Sequence, residues 1–75
     1  MIVYKIDILK LLKEKGYSQY YLMNNGIIGK GAIENMRKDG DISLKTLDKV
    51  CKLTGLQPGD ILAYEEEDVY YDEYV

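Results

Sequence analysis

A chain of 75 residues, 47% hydrophobic and 31% charged, is long enough for one small folded domain and no more, and it is not a disordered composition. No apolar run nears the roughly 18 residues that span a bilayer, no signal peptide is legible, and the lone Cys51 cannot close an intrachain disulfide, so the expected setting is cytoplasmic, with no membrane partner. The formal charge of −3 hides an asymmetry: the last eleven residues, EEEDVYYDEYV, hold six acids and no base, whereas residues 1–64 hold ten basic and seven acidic groups, a net +3.

MIVYK, with its β-branched and aromatic alternation, suits a short extended segment. From about Ile6 to Lys15 the spacing turns helical: Ile8, Leu9, Leu11 and Leu12 share one broad face, and Asp7, Lys10, Lys13 and Glu14 point to water. Gly16 is placed to stop that helix, and Ser18 to cap a second, brief one over Gln19 to Asn24, which ends in the turn chemistry of Asn24-Asn25-Gly26. One of Tyr20 and Tyr21 is expected to face solvent, where simple partial burial and a hydrogen bond to a phosphate are the two open readings, the first favoured.

A third helix is read from Gly29 to Lys38, with Ile33 and Met36 inward, Lys30, Glu34, Arg37 and Lys38 outward, and Gly40 as its end. Gly29 and Gly31 weaken its first turn by up to about 1 kcal/mol each relative to alanine. Ser43 caps a fourth helix, in which Leu44, Leu47, Val50, Cys51 and Leu53 make an inward stripe and Gly55 the stop; Cys51 reads as a buried structural thiol. A final short helix covers Pro58 to Leu62, with the proline in its first turn. Five helical segments with short polar connections fit one compact all-α domain, with room for short β segments at its termini.

Within this frame the stretch from Ser18 to Arg37 stands out as two short amphipathic helices joined by a tight polar turn, with apolar residues at Leu22, Met23, Ile27, Ile28, Ile33 and Met36. A helix-turn-helix of this kind offers its second helix to the DNA major groove. Catalysis has little foothold, and no enzyme is expected. There is no histidine, so Cys51 lacks a histidine partner; no glycine-rich phosphate loop follows a strand, and the tail acids lack the spacing of a calcium loop. No cofactor or metal is implied.

The order Ser18-Gln19-x-x-Leu22, a turn, Ile28, Ile33, Met36, Gly40, then Ser43-Leu44-x-x-Leu47 and Gly55 resembles the Xre/Cro family of phage-repressor-like helix-turn-helix domains. The ending LDKVCKLTGLQPGDILAYE is similar to a small single-domain subgroup of Gram-positive bacteria and mobile elements. The resemblance covers about Ile6 to Tyr64. It implies a five-helix lambda-repressor-like fold over residues 1–64, with its motif at 18–38, bound as a homodimer to double-stranded operator DNA through helix 29–38. Gln19, next to the capping Ser18, would contact a phosphate. Gly29, Lys30 and Gly31 would open the recognition helix, with Glu34 and Asn35 one turn further along. Lys30 has the donors for guanine O6/N7, Asn35 for adenine, and Glu34 the acceptor for cytosine N4. Lys38 and Lys45 would flank a loop that touches the backbone.

This chain departs from the family pattern in places. Gly29 stands where a serine or threonine is usual. The turn glycine is Gly26, with Ile27 in its common place, and Met23 replaces an alanine and is expected to widen the helix contact. Arg37 stands where a glutamate often pairs with an arginine of the first helix, here Leu12, and without that pair Arg37 would be free to reach a phosphate. Two functions stay open: a transcriptional regulator, most simply a repressor, or a protein-interaction module, antitoxin-like or a phage-encoded inhibitor, that keeps the fold and binds DNA weakly or not at all. No small-molecule effector is expected. The acidic, tyrosine-rich tail, residues 65–75, has three readings: a disordered solubilising end, a strand paired with MIVYK, or a cover that weakens non-specific binding by the basic face.

Overall fold

The computed structural model describes residues 1–66, so the reading of the tail from Glu67 to Val75 lies outside the described residues. The chain runs β1 (Ile2–Tyr4), α1 (Ile8–Glu14), α2 (Gln19–Asn24), α3 (Lys30–Arg37), α4 (Leu44–Thr54), α5 (Pro58–Ile61) and β2 (Leu62–Tyr64). The helices take shape from local signals. Asp7 caps α1, its carboxylate accepting from the Lys10 N–H at 3.1 Å. Ser18 and Ser43 do the same for α2 and α4, each hydroxyl accepting from the N–H three residues on at 3.1 Å. Around α5, the Asp60 carboxylate accepts from the Gln57 N–H at 2.9 Å, and Pro58 sits in the first turn.

The core is built from Ile8, Leu9 and Leu12 of α1, Leu22 of α2, Ile33 and Met36 of α3, Leu47 and Val50 of α4 and Ile61 of α5, closed by Ile28 from the α2–α3 turn. Every helix therefore lends at least one side chain to a single cluster, which is how helices of four to eleven residues become stable at all. Three apolar positions read as inward are elsewhere. Leu44 is 82% exposed and Met23 37% exposed, because each sits near a helix end whose inner positions are already filled by Leu47 and Leu22. Cys51 is half-buried at the margin of the core, not inside it. Tyr20 and Tyr21 are both exposed, at 71% and 44%.

The termini meet. β1 and β2 pair antiparallel, Ile2 opposite Tyr64, Val3 opposite Ala63 and Tyr4 opposite Leu62. The Lys5 N–H extends this tie to the Ile61 carbonyl at 2.8 Å, and its ammonium reaches the Gly59 carbonyl at 3.0 Å. The strand partner of the first residues is thus the segment just before the acidic tail. Leu62, read as the end of the last helix, is its first residue.

Candidate nucleic-acid interface

The α2–α3 turn is set by its backbone. Gly26 adopts φ +64, in the left-handed region, so that the Ile27 N–H returns to the Leu22 carbonyl at 2.9 Å and the Gly26 N–H to that of Met23 at 3.1 Å. This closes α2 and turns Ile28 into the core, from which α3 departs at a fixed angle. The glycine needed by the turn is therefore Gly26, and Ile27 beside it is accommodated half-buried.

α3 starts at Lys30 with Gly29 as its N-cap, and no side chain closes that end. Ile33 and Met36 are buried, and Lys30, Gly31, Glu34 and Lys38 lie exposed on the opposite surface. The helix ends through Asp39, the one non-glycine residue with positive φ (+58) among the described residues, and not through Gly40. The Gly40 N–H then bonds back to the Asn35 carbonyl at 2.6 Å. Gly40 sits close to Asn35: a Cβ there would lie 3.3 Å from Asn35 Oδ1, a tight contact that the side chain would have to ease. Asn35 is accordingly half-buried against this turn, off the outer surface that Glu34 occupies.

Two further contacts fix the site. The Arg37 guanidinium at the end of α3 donates through Nη2 to Gln19 Oε1 at the start of α2. Arg37 thus joins the two helices of the motif through one of its five donors and, exposed, keeps the others for an outside acceptor. Gln19 keeps its own amide donors for an outside acceptor. The second contact runs from the Tyr4 hydroxyl to the Gly40 carbonyl at 2.6 Å, tying β1 to the α3–α4 turn. Burial, with the carboxylates of Asp39 and Asp41 nearby, pushes the Tyr4 phenol above its ordinary value. Neither contact was readable in the sequence, since each joins residues 18 or 36 positions apart. On the far side of the turn Lys45 is exposed in the first turn of α4, behind the Ser43 cap.

Ser18 and Gln19, then Gly29, Lys30, Gly31, Glu34, Asn35, Arg37 and Lys38, then Lys45, thus come from two helices and the start of a third. The structure brings Gln19 and Arg37 into direct contact, sets Lys30 and Glu34 on one exposed surface, and turns Asn35 aside. A short helix held by its inner face beside a second, with an exposed polar outer face, defines a helix-turn-helix protein. The chain belongs to the Cro/C1-type HTH DNA-binding domain family, whose model matches residues 7–67. No curated protein and no solved structure matches it. No helix among the described residues is long and apolar enough to cross a membrane.

Proposed function

We propose that this DNA-binding regulator is a sequence-specific repressor that acts as a homodimer, each protomer placing α3 in a major groove of a palindromic operator and so excluding polymerase. The observation that carries the reading is α3 itself: Ile33 and Met36 lock its inner face, and Lys30, Gly31, Glu34 and Lys38 stand exposed on the other. Lys30 donates to guanine O6/N7 and Glu34 accepts from cytosine N4. Pairing of Asn35 with adenine asks its amide to rotate off Gly40, so base reading rests first on Lys30 and Glu34. Gly29 and Gly31 let the first turn approach the bases closely. Gln19 meets a phosphate through its amide, beside the capping Ser18, with Arg37 holding its oxygen; Lys38 and Lys45 meet the backbone on either side of the α3–α4 turn.

Residues 1–64 form the binding domain, and the acidic segment 65–75 tempers non-specific attraction to DNA. Deleting that segment is expected to tighten binding to random duplex at low salt; unchanged affinity would reject that role. The exposed acids Glu34, Asp39 and Asp41 favour the second reading, a protein-interaction module of the same fold. Binding to the DNA upstream of the chain's own gene, at several salt concentrations and against competitor duplex, separates the two. A regulator loses affinity steeply with salt and prefers its site by about 10³-fold or more. A weak and flat response belongs to the interaction module.

A further inference from the structure

Between the start of α1 and the α2–α3 pair lies an open depression of about 680 Å³. One wall carries Gln19 and Arg37, already joined to each other; the opposite wall carries Lys10 and Lys13 of α1. The two lysines are three residues apart on one exposed helix face. Lys5 also lines it, with its ammonium bonded to the Gly59 carbonyl. The acids on the lining are Asp7, whose carboxylate is engaged as the α1 cap, and Asp39 beside the Tyr4 phenol. Four cations therefore face two carboxylates, and among the described residues neither Lys10 nor Lys13 has an ion-pair partner.

We propose that Lys10 and Lys13 extend the DNA-contacting surface beyond the helix-turn-helix, onto phosphates of the same backbone strand that Gln19 approaches. This rests on the DNA-binding reading. The depression is open to solvent, and its volume of about 680 Å³ far exceeds a single small anion, which leaves room for a run of phosphodiesters. B-form DNA presents a phosphate about every 3.4 Å of axis on each strand, and lysine ammoniums on flexible stems can follow two successive ones. Such pairings of lysine with phosphate add affinity without reading bases.

The test is the salt dependence of duplex binding by the full chain and three variants: Lys10→Gln, Lys13→Gln, and Lys52→Gln, which lies exposed on α4 away from the depression. Removing a lysine that neutralises one phosphate flattens the slope of log K against log salt by about 0.9. Lys10→Gln and Lys13→Gln are expected to flatten it by about that much each, with the preference for the specific site unchanged, and Lys52→Gln to leave it alone. Thermal melts of all three should match the parent chain, since exposed substitutions of this type seldom alter stability. Slopes equal to the parent in both α1 variants, or an equal flattening by Lys52→Gln, overturn the inference with DNA binding intact. A shallow slope in the parent chain removes the DNA reading as well. Competition by millimolar inorganic phosphate at matched ionic strength would assign the depression to a free anion and likewise overturn the inference; no competition supports it.

Discussion

α3 and α4 bury the same kind of inner face and differ at their ends. α4 runs for eleven residues from the Ser43 cap to Gly55, which takes φ +76 to close it. α3 runs for eight, opens on Gly29 with no side-chain cap, and carries Gly31 in its first turn. Neither glycine is demanded by packing: a Cβ at either would meet nothing within 4 Å, and Gly29 lies at φ −74, open to any residue. α4 is finished from within the chain. The first turn of α3 is left bare on the side that faces outward, and the proposed function supplies the reason, close approach to DNA.

The largest expected effect breaks the shared inner face. Ile33→Ala, at a site only 1% exposed, should cost about 2–5 kcal/mol, a large part of what so small a domain has, while Leu44→Ala at its exposed site should stay within about 0.5 kcal/mol. Urea denaturation reads both; equal destabilisation would mean that Leu44 is buried by something outside the described residues.

Tyr4 and Gly40 meet at the point where α3 hands over to α4. Tyr4→Phe removes one hydrogen bond, about 0.5–1.5 kcal/mol. It should also change the response to alkali. The phenol is held above its ordinary 10.0 in the folded chain, so its proton is bound more tightly there than in the unfolded chain. Its contribution to stability is complete below pH about 10 and is lost as pH rises through the folded value. The difference between parent and Tyr4→Phe should therefore shrink in strongly alkaline buffer; a gap that is constant with pH would contradict this.

The helix starts give the smallest and most direct contrast. Ser43→Ala should destabilise by about 1 kcal/mol, and Gly31→Ala should stabilise by about 0.5–1 kcal/mol, both by thermal or urea melts. If Gly31→Ala also leaves DNA binding untouched, close approach is not why the first turn is bare.

What the sequence disclosed is what short range decides. Ser18 and Ser43 cap where expected, Gly16 and Gly55 end their helices, and Ile33 and Met36 face inward, because each depends on a few neighbours along the chain. A strand against MIVYK was foreseen, but the register that pairs Ile2 with Tyr64 and Tyr4 with Leu62 was not, so Leu62 was read as helix although it opens a strand. Apolar character alone placed Leu44 and Met23 inside, since it cannot say that a neighbouring residue has already filled the inner position. The left-handed residue after α3 is Asp39, not the glycine beside it, and Gly40 packs close to Asn35 instead, a placement visible only in three dimensions. In the candidate interface, the residue types of Lys30 and Glu34 were legible from their spacing, whereas the Arg37–Gln19 contact spans two helices and redirects what both can do.

Base reading by the outer face of α3 is best probed at Lys30, which is exposed and makes no contact on which the fold depends. Operators selected from a random duplex pool by the parent chain provide the specific site. Lys30→Ala should weaken binding to that site by about 5- to 150-fold, the equivalent of about 1–3 kcal/mol, and binding to scrambled duplex by far less, at unchanged melting temperature. Equal weakening on both duplexes, or none on either, would contradict it.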